Sequence, residues 1–346
     1  MCPSTQGPTQ SGLRRQDAVP GLVSVIIPAF NAEHWIAETL RSVRAQTYEP
    51  IEIVVVDDGS SDGTAALAAA SGATVVQSRG AGPGGARNAG LAHARGALLQ
   101  FLDADDLLAR HKIARQVRTL EESGSDVAWE PYTLLVPGAE PNDPFVVDRR
   151  VSPELGADLA AALLTTRGFT QIGSLLVRRS ARTDPVWFEP GREAVEDVRY
   201  MVALAMGGAR FISSDCGDHG LFFRQHTGPR YSTRPAASFA RGCAANAEWA
   251  EAYWVEHGGL TPARRAALSE AYAFAARQLA AVDRVAFDRA ASHGLALGDE
   301  FRRQLPARVR WLSRLVGYPR AESIASAWRR VLHARSLDAA GPTEAR

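Results

Sequence analysis

Four short apolar runs, the first three carrying Val or Ile and the fourth Leu and Phe, each divided from the next by a stretch of helical spacing, limit what this chain can fold into. They are "LVSVIIPAF" from Leu22, "IEIVVVDD" from Ile51, "TVVQS" from Thr74 and "ALLQFLDADD" from Ala97. Between them, Trp35, Ile36, Leu40 and Val43 recur at helical intervals, a small-residue segment covers about 62–70, and "GGARNAGLAHA" is a helix entered through glycines. Continuous β-branched runs mark strands buried on both faces, and strands alternating with helices imply a parallel α/β sheet covered on each side. In such sheets ligands collect beyond the carboxyl ends of the strands. Asp57 and Asp58 fall at one such end, and Asp103, Asp105 and Asp106 at another. Three carboxylates within four residues repel one another unless a cation or solvent answers them. That cation is a metal, an arginine, or only water.

Downstream the pattern loosens. A helix is expected at about 107–122, then a strand in "SDVAWEPYTLL", a Pro-rich loop over 137–153, a strand in "IGSLLVRR", a helix in "EAVEDVRYMVALAMGG" and short strands in "RFISS" and "LFFRQH". From about Pro235 the chain turns helical, with Thr261-Pro262 as N-cap and first helical residue and Leu268, Tyr272, Ala275, Leu279 and Val282 on one face. The expected organisation is a disordered tail (1–21), an α/β domain (22–234, in halves 22–108 and 109–234), a helical C-terminal extension (235–335) and a second tail (336–346).

A net charge of +1 gives no global field to recruit nucleic acid. Cys2, Cys216 and Cys243 have neither a disulfide-framework pattern nor metal spacing. No apolar run reaches the ~20 residues that span a bilayer, and the first twenty lack the apolar middle of a signal peptide. These features lead to the expectation of a soluble, cytoplasmic protein. Residues 302–335 carry nine arginines and one acid, Glu322, interleaved with Trp311, Leu312, Leu315, Trp328 and Leu332. Two readings stand: a helical cap docked on the core, or a basic amphipathic segment in peripheral contact with the inner face of a membrane or a lipid-linked acceptor.

Gly80, Gly82 and Gly85 spell G-x-G-x-x-G, with acids about 20 residues on, as in dinucleotide-binding folds. A complete βαβ unit with its own acid cluster precedes them, however, and a single ribose-binding acid leaves the neighbouring carboxylates unexplained. The order of motifs resembles another family. "SVIIPAFNAEHWIAETLRSVRAQTYEPIEIVVVDDGSSDGT", then "GGARNAG", then "FLDADD", is similar to the catalytic core of family 2 glycosyltransferases of the GT-A fold. The resemblance implies a hexosyltransferase-type enzyme with a Rossmann-like mixed sheet flanked by helices. It implies a nucleotide-sugar donor, a divalent metal cofactor (Mn²⁺ or Mg²⁺), and inversion at the anomeric carbon during transfer to an acceptor hydroxyl. The acceptor stays open among a glycan, a lipid-linked sugar and a small molecule, in cell-envelope glycan or natural-product biosynthesis. Alternatives are a nucleotidyltransferase of similar architecture and a non-catalytic nucleotide-sugar-binding module.

By the same resemblance, Pro28, Ala29, Phe30 and Asn31, with Asp57 and Asp58, line the base and ribose; Asp58 accepts from the N3–H of a uracil, which favours a UDP-sugar. Asp57 instead holds the turn in a second reading. Arg87 pairs with a donor phosphate, holds an acid of the cluster, or lies on the surface. Asp103 and Ala104 contact the ribose or an outer water. Asp105, aligned with Asp103 because alternate strand residues share a face, binds the metal, and His226 completes its shell. Asp106 caps the next helix. Asp197 is the catalytic base with Glu196 its neighbour, and a helix N-terminus there keeps Asp197 ionised. Departing from the family, "DPVWFEPGREA" replaces the usual Gly-Gly-Phe-Asp stretch, and Trp187 and Phe188 either stack on a sugar or pack.

Overall fold

The expected strands lie side by side in a computed structural model that describes residues 18–135, 147–181, 188, 195–225 and 236–339. In chain order they are β1 (Val19–Ala29), β2 (Ile51–Asp57), β3 (Thr74–Gln77) and β4 (Gly96–Phe101), joined by α1 (Ile36–Arg44), α2 (Thr64–Ala70) and α3 (Gly82–His93). Strand β1 runs parallel to β2 and β4, and β2 parallel to β3. Val25, Ile26 and Ile27 are all fully buried. Consecutive strand residues point to opposite faces, so both faces of β1 are covered, as its β-branched run requires. Helix α3 packs so close that a Cβ on Gly90 would overlap Ile26 Cγ2 and approach Val56 Cγ2 to 3.1 Å.

The chain continues through β5 (Leu107–Leu108), α4 (Lys112–Ser123), β6 (Val127–Trp129), β7 (Tyr132–Leu135), β8 (Val147–Val151), α5 (Leu159–Leu163), β9 (Leu175–Arg178), α6 (Glu196–Met206), β10 (Phe211–Ser213) and β11 (Leu221–Arg224). One sheet has the order β10-β6-β9-β4-β1-β2-β3, mixed because β9 is antiparallel to both β4 and β6; a smaller sheet has the order β5-β11-β7-β8. Three expectations fail here. The loop expected over 137–153 contains β8, which pairs with β7. The helix expected from 107 begins at Lys112, because Leu107 and Leu108 pair with β11 instead. "SDVAWEPYTLL" is not one strand. Pro131 has no N–H to donate to a ladder, and the run breaks there, β6 joining the large sheet and β7 the small one.

Helix α4 is fastened to the large sheet by Lys112, which is fully buried. Its ammonium donates to Gln100 Oε1 on β4 and to Gln116 Oε1 (2.7 Å), and Leu175 O of β9 lies 3.5 Å away. Burial pushes the amine down to about 7, against the opposing pull of Glu130.

The chain divides into two units. The first comprises residues 1–154, 169–192 and 196–228 and contains both sheets. The second comprises residues 155–168, 193–195 and 229–346. It holds α5, α7 (Ala236–Glu256), α8 (Pro262–Leu279), α9 (Arg284–Ala296), α10 (Asp299–Gln304), α11 (Ala307–Val316) and α12 (Tyr318–Ala339). Thr261 caps α8 as expected, its side chain accepting from Arg264 N. Leu268, Tyr272 and Leu279 of α8 are fully buried, as are Phe287 of α9 and Phe301 of α10. Asp158, the N-cap of α5, also pairs with Arg264 at 2.8 Å, tying residues 155–168 to the helical unit.

Candidate active site

The carboxyl end of β1 is built by its loop. Pro28 and Ala29 end the strand, Phe30 is 63% exposed, and Asn31 adopts a left-handed φ of 49°. Asn tolerates that region because its short polar side chain can bond locally. Here Asn31 Oδ1 accepts from Ser61 N at 2.9 Å while Asn31 N donates to Ser60 Oγ at 2.9 Å. Ala32 N donates to Thr64 Oγ1 and Gly63 N to Glu33 Oε2, so the loops after β1 and β2 are laced together.

Asp57 and Asp58 end β2 with different partners. Asp57 Oδ1 accepts from Ser60 N at 3.2 Å and holds the turn. Asp58 accepts from the Ser78 hydroxyl and Ala81 N with one oxygen and from Gly82 N with the other, at 2.9 Å and 2.8 Å for the two amides. The Ala81 and Gly82 N–H groups at the start of α3, where a dinucleotide pyrophosphate would need donors, are therefore answered by a side chain. This removes the G-x-G-x-x-G reading. A carboxylate has about four lone-pair sites, so Asp58 retains room for one further donor.

The turn after β4 is held from below. Thr39 Oγ1 lies within hydrogen-bond reach of both Ala104 O and Asp106 O, at 2.8 Å and 2.9 Å. Ala104 is buried, and Asp103 and Asp105 are half-buried. Asp106 does not cap the next helix, whose N-cap is His111. Instead Asp106 Oδ1 accepts from Arg224 N at 3.0 Å, and Arg224 Nε donates to Asp105 O at 3.1 Å. The same guanidinium pairs with Glu38 and lies 5.0 Å from the Trp35 ring. The carboxylate of Asp106 is thus answered by a backbone amide, while the Arg224 guanidinium pairs with Glu38 and meets the turn only at the Asp105 carbonyl. Neither Arg224 nor Glu38 had been singled out. The available signal was an arginine closing the apolar strand "LFFR", opposite three acids.

Arg87 does pair with an acid side chain of the turn. It is 3% exposed, so it is neither on the surface nor open to solvent. Its Nη2 donates to Asp103 Oδ1 at 2.7 Å and its Nη1 to Glu196 Oε1 at 2.6 Å. The guanidinium carbon lies 5.3 Å from the Phe188 ring, which stacks on Tyr200 and meets Phe101 edge-on. Phe188 is 1% exposed and packs. Asn88 of the same helix brackets it, donating to Phe188 O and accepting from Phe188 N. Trp187 and His226 lie outside the described residues.

Glu196 and Asp197 open α6. Asp197 Oδ1 accepts from Val198 N at 2.8 Å. The expectation that the helix terminus keeps Asp197 ionised is overturned. Desolvation, then the charge of Glu196, push its carboxyl up to about 7, outweighing Arg87 and the Val198 amide. Glu196, Asp197, Arg87 and Asp103 thus form one electrostatic group, although they come from α6, α3 and the end of β4.

Hard divalent cations take carboxylate oxygens, and Mg²⁺ makes do with one or two carboxylates plus water and substrate phosphate. Among the described residues no group of three or more His, Cys, Asp or Glu side chains forms an all-protein cage. Asp105, with Asp103 two residues before it, fits the sparse oxygen set that such an ion accepts.

Residues 24–132 match the family model "Glycosyl transferase family 2". The chain is 31% identical over 137 residues to the UDP-Glc:alpha-D-GlcNAc-diphosphoundecaprenol beta-1,3-glucosyltransferase WfgD of Escherichia coli, covering 38% of this chain and 52% of that one. It spans about half or less of the length of the curated relatives it matches. The fold is shared with S. aureus TarS, solved with UDP-GlcNAc, at TM-score 0.64, 19% identity and 88% coverage of each chain. The mannosyltransferase PcManGT of Pyrobaculum calidifontis, solved with GDP-Man and Mn²⁺, superposes at TM-score 0.51 with 21% identity over 89% of this chain and 87% of that one. The expected GT-A fold, a mixed sheet with flanking helices and a helical C-terminal region, is the one observed.

Proposed function

From the premise that this chain belongs to glycosyl transferase family 2 through residues 24–132, we propose that it moves a sugar from a UDP-sugar to an acceptor hydroxyl with inversion. One observation carries the reading. Arg87 joins Asp103, at the donor end of β4, to Glu196, beside the candidate base on α6. Donor binding and proton removal thereby share one buried cation.

In the reaction the acceptor oxygen attacks the anomeric carbon from the face opposite the leaving group. A new C–O bond forms, the bond to the β-phosphate oxygen breaks, and nucleoside diphosphate departs with the electron pair. Asp197 takes the hydroxyl proton. Asp58 reads the uracil N3–H, Asp57 and Asn31 shape the base loop, and Arg87 orients Asp103 toward the ribose. Asp105, with His226 by the motif resemblance, would hold a divalent cation, which would supply positive charge to the departing diphosphate. An acceptor in cell-envelope glycan synthesis is supported by WfgD, whose name specifies a diphosphoundecaprenol-linked sugar.

Calorimetry with UDP, GDP and ADP in Mn²⁺ tests the donor assignment. UDP is expected to bind tightest, and equal affinities would remove the role of Asp58. Asp105→Ala is expected to abolish the Mn²⁺-dependent part of UDP binding with the circular dichroism spectrum unchanged. Undiminished UDP binding and transfer in EDTA would reject the metal.

A further inference from the structure

Helices α11 and α12 leave large apolar side chains in solvent. Trp311 is 61% exposed, Leu315 66%, Ile324 43% and Trp328 66%. They are not scattered. On α11, Arg308, Trp311 and Leu315 recur at i, i+3 and i+7; on α12, Arg320, Ile324 and Trp328 recur at i, i+4 and i+8. Each trio therefore lies along one face of its helix. Arg308, Arg314 and Arg320 are exposed as well. The one acid between residues 302 and 335, Glu322, is 1% exposed and paired with Arg329, so it offers no negative charge to this surface. The other faces account for the packing, through Val309 of α11 and Tyr318, Glu322 and Ser326 of α12, which are all buried.

A helical cap docked on a core would bury its tryptophans. These helices bury Val309, Tyr318 and Ala321 and present the indoles beside arginines. Indoles prefer the boundary between hydrocarbon and water, and arginines are drawn to anionic headgroups. A second copy of the chain would bring cationic surface against cationic surface, which disfavours self-association. We propose that the exposed faces of α11 and α12 dock this protein on an anionic phospholipid surface, with Trp311 and Trp328 at headgroup depth. No helix among the described residues is long and apolar enough to cross a bilayer, so the contact is peripheral.

Co-sedimentation of the full chain with phosphatidylcholine vesicles, with and without phosphatidylglycerol, tests this. Binding is expected only to the anionic vesicles, falling as salt is raised. Arg308→Gln, Arg314→Gln and Arg320→Gln should each weaken it roughly fivefold. Trp311→Ser with Trp328→Ser should abolish it and remove the blue shift of indole emission, leaving UDP affinity unchanged because these side chains face solvent. Failure of the intact chain to bind anionic vesicles at low salt would overturn the proposal. So would a concentration-dependent oligomer, seen by analytical ultracentrifugation, that the tryptophan variants dissolve, since the face would then be a protein interface.

Discussion

Asp197→Asn is expected to lower the transfer rate by ~10²–10⁴-fold while UDP-sugar binding stays near normal. Asparagine keeps the shape of the side chain and the bond from Val198 N, but it cannot take a proton from the acceptor. Glu196→Gln should act differently. It breaks the pair with Arg87 and so disturbs the donor side as well as the base. The pH profile distinguishes the two residues. A base works deprotonated, and the Asp197 carboxyl titrates near 7, so wild-type kcat/KM should climb through neutral pH and level off above it. Stability should run the other way. Because the folded pKa is raised above the unfolded one, ionised Asp197 costs the native state stability. That cost is absent below about pH 4, grows towards pH 7 and then stays constant. Asp197→Asn should therefore raise the thermal midpoint at pH 8 and leave it nearly unchanged at pH 4. Wild-type turnover in Asp197→Asn would remove Asp197 as the base, and a midpoint lowered at pH 8 would remove its raised pKa.

Arg87→Met is expected to be the most damaging single change to the fold. The side chain is of similar length and apolar, so the contact with Phe188 survives, but two carboxylates lose their cation. Glu196 is buried, with a side chain only 7% exposed. Stranding one partner of a buried pair typically costs ~3–5 kcal/mol. Thermal melting should show this as a clearly lower midpoint, with UDP-sugar affinity reduced because Asp103 is no longer held. Adding Glu196→Met should recover part of the stability without restoring transfer. Equal losses in single and double variants would mean that the pair is not the source of the effect.

The first four strands were legible because each signal is local. The apolar runs of β1, β2 and β4 announce themselves in five or six residues, and the acids after β2 and β4 stand next to them in sequence. Arg87, Asp103, Glu196 and Asp197 were all named from motifs, and the structure brings them together. What held them together was not legible. The Arg87–Glu196 pair spans 109 positions and the Arg224–Asp106 contact 118, with no periodicity to betray either. In the sequence Asp106 reads as a helix cap because helical spacing follows at once; Leu107 and Leu108 pair with β11, which only tertiary structure reveals. The charge state of Asp197 was missed for a related reason. A helix terminus can be read from sequence, whereas the desolvation and the neighbouring carboxylate that outweigh it belong to packing.

Lys112 has a consequence outside catalysis. It is the chain's single lysine, every other basic side chain of that length being arginine, and its amine lies wholly inside the protein against Gln100 and Gln116. Succinimidyl dyes and aldehyde cross-linkers consequently find no side-chain amine on the native surface, only the terminal one. Burial holds that amine at about 7 only while the fold is closed; once uncovered it returns towards the ordinary lysine value of ~10.4 and reacts fastest at alkaline pH. Modification at Lys112 thus marks the moment when α4 parts from β4 and β9, which makes the residue an intrinsic chemical clock for opening of the large sheet.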